Sequence, residues 1–253
     1  EPIPANEPSC EEVALNIQSD TTTETDAITD ISVNAHAITK VGDAKHSSTE
    51  TIYGESSLYF DGNGDYISVG DTSTFKYIHN LTSEYTIECW VYVNAITKDS
   101  LDRRSINITG NNGPSQTKGF GIYFGLTGLQ FWTSDGDGTS GQSVTYVEHP
   151  MTDAEILNNW MHIAVVYDKT ETKMYLNGNL VASSDEEQVT PVGANATYPL
   201  TIGYTPHDVG VTNYPINAYI QDFRISKKAV YTGCFVPPSK LHPNLLNTPL
   251  NPE

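Results

Sequence analysis

The sequence predicts an all-β protein: an antiparallel two-sheet sandwich with one short helix. Three observations carry this reading. Tyr85–Val93 alternates strictly, with Ile87, Cys89, Val91 and Val93 on one side and Thr86, Glu88, Trp90 and Tyr92 on the other. That two-residue period marks a strand with one face in a core. Asn177-Gly178 lies between two apolar runs and signals a type I′ hairpin, because both central residues of that turn need positive φ. The composition, with 17% charged and 10% aromatic residues, 19 Gly and 14 Pro, suits strands joined by many turns.

The elements follow in order. Residues 1–12 hold three prolines and read as an extended leader. Val13–Gln18 is a short strand, and the Ser/Thr/Asp-rich run Ser19–Asp30 is a loop. Ile31–Val33, Ala35–Val41 and Ser57–Phe60 are further strands. Asp61-Gly-Asn-Gly-Asp65 turns the chain into Tyr66–Val69. After Tyr85–Val93, Phe120–Phe124 and Leu129–Thr133 form a hairpin around Gly125–Gly128, and Ser143–Glu148 follows. Thr152-Asp-Ala-Glu155 is a capping box, so Thr152–Asn158 is the one helix. Trp160–Asp168, Lys173–Leu176, Leu180–Ser183, Leu200–Tyr204 and Ala218–Ile225 complete the strands. A kink at Lys227–Val230 and a polyproline exit at Pro237-Pro238 end residues 13–238, and residues 239–253 read as a Pro/Asn-rich arm. No boundary divides 13–238, a length that one sandwich can fill.

Charge narrows the partners. Thirteen Lys and Arg against 31 Asp and Glu give −18. No basic run exceeds two residues (Arg103-Arg104, Lys227-Lys228), which argues against a nucleic-acid partner. No apolar run approaches the length of a membrane span. Three cysteines, Cys10, Cys89 and Cys234, are too few and too scattered for a disulfide framework, and Cys89 reads as a buried thiol. GxSxG, HExxH and GxxxxGK are absent. Gly136–Gly141 matches GxGxxG but precedes a strand-like run rather than the helix a dinucleotide needs. Asp135 and Asp137 resemble the start of an EF-hand loop, but position six is Ser140 and position twelve Tyr146. His162, beside Trp160 in a strand, reads as packed rather than ligating.

Several segments, in order, resemble the laminin-G-like branch of the concanavalin A-like jelly rolls. They are Ser57–Val69, Tyr85–Val93, Trp160–Asp168, Lys173–Ala182, Leu200–Tyr204 and the closing strand. The closing form Asp222–Lys227 with Tyr231–Pro238 is similar to versions common in tailed-phage and marine-virus virion proteins. The resemblance implies a concanavalin A-like jelly-roll sandwich and a virion surface, hence extracellular, location. It implies a capsid-decorating or tail/fibre component whose Pro-rich ends contact other virion subunits or further copies of itself. Glycosidases on this sandwich set carboxylates at alternate positions of one strand, close enough to flank one bond. That pattern is missing here, which leaves a polysaccharide-active enzyme the weakest reading.

A second reading is a glycan-binding adhesin recognising a cell surface. Its platform would be Trp132, Trp90, Tyr92 and Tyr123, whose flat rings stack on sugar C–H faces, with Asp135 and Asp137 for hydroxyls. The alternative is that these rings are core. The family also implies a structural calcium near the closing strand, with Asp222, Asp20 and Asp26 as candidate ligands by position. For Asp222 the alternative is an ion pair with Arg224, two residues on.

Overall fold

The computed structural model describes residues 6–98, 102, 104, 106–111, 118–134, 143–185, 195–204 and 215–242. Along the chain run β1 (Val13–Ile17), β2 (Ile38–Val41), β3 (Lys45–Ser47), β4 (Ser57–Asp61) and β5 (Tyr66–Val69). After α1 (Lys76–His79) come β6 (Tyr85–Ala95), β7 (Ile106–Gly110), β8 (Gly119–Phe124), β9 (Gly128–Ser134) and β10 (Ser143–Pro150). Beyond α2 (Asp153–Ile156) lie β11 (Trp160–Tyr167), β12 (Thr172–Leu176), β13 (Asn179–Ser184), β14 (Leu200–Ile202) and β15 (Asn217–Ser226).

Two antiparallel sheets result. One runs β13-β12-β11-β6-β15-β4-β3, with β1 also on β15; the other runs β10-β9-β8-β7-β14-β5-β2. β15 therefore occupies the middle of its sheet. β6 lines one edge of it, while β4 takes the first half of the other edge and β1 the second. Alternation sends Phe60, Ile87, Val91, Phe120, Phe124, Phe131, Ile163 and Phe223 into one core between the sheets. Each such side chain contributes roughly 1.5–3 kcal/mol by leaving water.

A second layer lies outside the eight-stranded sheet. Ala229, Val230 and Tyr231 pack on Ala164, Val166 and Tyr175, joined by Phe235. The Phe235 N–H donates to Gly178 O at 2.9 Å, tying this segment to the β12–β13 turn. In that turn Asn177 (φ 51) and Gly178 (φ 77) hold the positive φ that the Asn-Gly pair signals. The described parts of both ends dock on the same face. The Lys227 N–H donates to Glu12 O at 2.7 Å, Glu7 pairs with Arg224, and the His242 N–H donates to Asp222 at 3.0 Å. Residues 6–12 and 239–242 are thus joined to the sandwich rather than held apart from it.

The structure corrects four local expectations. Ile31–Val33 is not a strand, because Asp30 accepts the N–H groups of Asn16, Ser32 and His36 and bends the chain there. β3 and β7 are additional strands. β7 pairs with β8 and β14; Ile106 and Ile108 enter the core while Asn107 and Thr109 are buried on its other face, a pattern too short to stand out. α1 is a second helix. α2 keeps its capping box but stops after one turn, because Leu157 pairs with Val93 and the Asn158 N–H donates to Val93 O at 2.9 Å.

Candidate functional site

The alternation that buries Phe120, Ile122, Phe124, Leu129 and Phe131 turns Tyr123, Gln130 and Trp132 onto the outer face of the seven-stranded sheet. Trp132 lies opposite Gly121 on β8 and Tyr146 on β10, so nothing larger than hydrogen crowds it from the β8 side. Tyr146 is 40% exposed. Tyr123 stands opposite Gln130, and Gln130 opposite Glu148. Gln130 Nε2 donates to Tyr146 Oη at 2.7 Å and to Thr127 Oγ1 at 2.8 Å, while the Tyr146 hydroxyl donates to Glu148. Burial, with the charge of Glu148 adding to it, pushes the Tyr123 hydroxyl up to about 12. The patch presents two adjoining rings and an oriented amide and carboxylate, the equipment for a sugar's C–H face and its hydroxyls. Asp135 and Asp137, and the GxGxxG run, lie outside the described residues.

Trp90 and Tyr92 project from the outer face of the other sheet, so the four expected rings do not form one platform. The sandwich separates them, because β6 and β8–β9 belong to different sheets. Trp90 is covered from the loop before β4, edge-on to Tyr53 at 6.3 Å, and packs edge-on to His162 of β11 at 5.2 Å. Tyr92 instead joins a row of rings with Trp160, Tyr219 and Tyr59.

Beneath the second layer sits a charge cluster. Glu88 is 1% exposed and accepts Arg224 Nε at 2.9 Å and the Tyr231 hydroxyl at 2.6 Å, with Arg224 Nη2 lying 2.7 Å and His162 Nε2 3.3 Å away. Burial alone would raise the Glu88 pKa, but Arg224, His242 and His162 together hold it well below the usual carboxylate range. A carboxylate so enclosed is not placed to flank a glycosidic bond.

A β-bulge builds this cluster. Opposite β6 the register slips between Gln221 and Arg224, with Asp222 at φ 56. The extra residue turns both Gln221 and Asp222 outward and still returns Phe223 to the core. Arg224 accordingly pairs with Glu88 and Glu7, and the Asp222–Arg224 pairing gives way to one with His242. Asp222 accepts Gln18 Nε2 at 3.0 Å, the Tyr53 hydroxyl at 3.1 Å and the His242 N–H at 3.0 Å, with His242 Nδ1 at 2.5 Å. Burial again opposes ionisation of Asp222, and His242 more than offsets it.

These partners leave Asp222 a poor fit for calcium, since protein donors already occupy both of its oxygens. Asp20 accepts the Glu55 N–H at 2.8 Å and Asp26 the Thr21 hydroxyl at 2.6 Å, each exposed in the loop after β1. Among the described residues, the carboxylates that converge are Asp43, Asp61 and Asp65, with ligand atoms within 4.8 Å of one another. Asp65 there accepts the N–H groups of Asp43 at 2.8 Å and Asp61 at 3.1 Å, and so anchors the β4–β5 turn. Burial raises its pKa.

The sequence of residues 61–232 matches the Concanavalin A-like lectin/glucanases superfamily. The chain belongs to that family. No curated protein sequence matches it significantly. Its fold is similar to the binding domain of Paraclostridial Mosquitocidal Protein 1, at 17% identity and a TM-score of 0.62, over 88% of this chain and 50% of that one. It is also similar to the botulinum neurotoxin serotype D binding domain, at 15% identity and 0.59, over 87% and 49%. A structure of the receptor binding domain of botulinum neurotoxin D gives 14% and 0.61, over 88% and 50%. This chain spans about half the length of these proteins. Among the described residues no helix is long and apolar enough to cross a membrane.

Proposed function

We propose that the chain is a non-enzymatic binding module of a virion surface, and that its Trp132–Tyr146 patch engages a cell-surface glycan. The observation that carries the reading is the pairing of these two rings on an open sheet face, with Gln130 and Glu148 aligned beside them. Similar solved structures are named as binding domains, which supports a binding role at the level of the fold. The virion setting rests on the form of the closing segment, Asp222–Lys227 and Tyr231–Pro238.

A glycan array probed with the labelled protein tests the contact. Trp132→Ala is expected to weaken the signal about tenfold, near 1.4 kcal/mol, while the melting temperature stays put, since Trp132 lies outside the core. Equal loss of binding and folding overturns the reading. Light scattering on the native assembly tests the building-block half of the proposal. A defined oligomer supports it, and a stable monomer removes self-assembly.

A further inference from the structure

We infer that the two ends of the chain are coupled: residues 6–12 and 239–242 dock on the sandwich together and release together, through the buried Arg224–Glu88 pair between them. The inference is independent of what either end, or the Trp132 patch, binds.

Each end delivers one charged side chain to the same buried row. The N-terminal end runs beside the kink that follows β15. There Asn6 Nδ2 donates to Ala229 O, Lys228 Nζ to Glu7 O at 3.3 Å, and the Lys227 N–H to Glu12 O at 2.7 Å. Those bonds set the Glu7 carboxylate against Arg224 Nη1. The C-terminal end is held by Gln18 and Asp222. Gln18 Nε2 donates to His242 O at 2.5 Å, and Asp222 accepts the His242 N–H at 3.0 Å.

The two deliveries meet at one oxygen. Glu88 Oε1 lies 2.9 Å from Arg224 Nε, 2.7 Å from Arg224 Nη2 and 3.8 Å from His242 Nε2. The row therefore reads Glu7, Arg224, Glu88, His242, Asp222, with negative and positive charges alternating along it. The side chains of its inner four members are at most 7% exposed, so water and salt screen them little. Lys228 and Glu12, 3.6 Å apart at the rim, are 24% and 39% exposed and add little.

Alternation is what transmits. With His242 withdrawn, Glu7, Glu88 and Asp222 face the one guanidinium of Arg224. Glu7 is then held near two buried carboxylates that have lost a counter-charge. With Glu7 withdrawn, Arg224 turns more of its charge on His242, whose ionisation it already opposes. Each departure weakens the other end, and linkage makes the factor the same in both directions. A partner that draws off one end thereby loosens the other, and the two answer a single contact as one unit.

Amide exchange on the intact chain, read by mass spectrometry, tests the coupling. Glu7→Gln is expected to speed exchange in residues 239–242 about fivefold or more, and His242→Asn to speed it in residues 6–12 by the same factor. The double variant should open each end by less than the product of the two single effects. The β2–β5 pairing, in the other sheet, should keep its protection in all three. Where His242→Asn fails to fold, Gln18→Ala loosens the His242 carbonyl without changing any charge and should also speed exchange in residues 6–12. Loosening confined to the end that carries the substitution overturns the inference. A rise spread evenly over both sheets overturns it too, since that reports global instability rather than coupled ends.

Discussion

Replacing Arg224 with Met takes a cation from a site that is 2% exposed and leaves Glu88 ionised at 1% exposure. Removing one member of a buried ion pair costs about 3–5 kcal/mol, because the remaining charge is neither hydrated nor paired. Glu88 keeps the Tyr231 hydroxyl at 2.6 Å and His162 at 3.3 Å, which points to the lower end, about 3 kcal/mol. For a domain of this size 1 kcal/mol moves the melting temperature about 2–4 °C, so a drop of roughly 6–12 °C is expected by calorimetry. Adding Glu88→Gln to Arg224→Met is expected to restore at least half of the loss, since a neutral amide still accepts from Tyr231 and needs no counter-charge. The single variant also changes its response to acid. In the native protein Glu88 is depressed and loses stabilisation as pH falls. Without Arg224 burial dominates and raises Glu88, so the variant regains stability as pH falls through that raised value. A loss below 1 kcal/mol, or no recovery in the double variant, would refute the electrostatic account.

Stability should fall on both sides of a maximum set by the pair His242–Asp222. Burial opposes the charge on His242, but Asp222 and Glu88 outweigh burial and Arg224 and raise its pKa. Its contribution is therefore complete below the ordinary histidine value of about 6.5 and fades as pH rises through the raised one. Asp222 and Glu88 are depressed, so theirs is complete above about 4 and fades as pH falls through the lowered values. Urea unfolding from pH 2 to 9 checks both flanks; His242→Asn should flatten the alkaline flank between 6.5 and 9, and a flank that survives the substitution contradicts the assignment. Gly178→Ala should cost roughly 1–3 kcal/mol from the left-handed backbone alone. Its Cβ would also meet Phe235 O at 1.9 Å, so amide exchange in residues 229–235 should rise, and unchanged protection would show that the turn does not hold the second layer.

How much of this was legible varied with the physics of each segment. β6, β8 and β9 could be read because an apolar face alternates with a more polar one, and β11 because it is a near-continuous apolar run buried on both faces. The Asn-Gly turn announced itself through backbone geometry. β7 escaped although Ile106 and Ile108 alternate with Asn107 and Thr109, because its pattern is short; Thr109 donates its hydroxyl to Thr201 O at 2.8 Å, a pairing visible only once β14 is beside it. The bulge at Asp222 escaped for a related reason. Its positive φ is stabilised by Gln18, Tyr53 and His242, residues distant in sequence. The aromatic positions were recognisable, but grouping Trp90, Tyr92, Trp132 and Tyr123 required knowing which strands share a sheet. The row through Tyr59, Tyr219 and Trp160 depends on inter-strand register, which a single strand's pattern does not contain.

The central place of β15 has a consequence for biosynthesis. Until residues 217–226 leave the ribosome, β6 has no neighbour on one side, β4 has only β3, and β1 has no strand to pair with. Without β15 the eight-stranded sheet is two fragments, β13-β12-β11-β6 and β4-β3, with β1 left alone, and their edges are open and pairing-competent. Closure waits for nearly the whole chain, and the Glu88 site waits for Arg224 and Tyr231 from the same late segment. A product that ends early therefore does not yield a smaller working domain; it yields exposed strand edges and an unpaired carboxylate. Display or fusion formats for this protein should accordingly leave the stretch through His242 intact and carry any cargo beyond it.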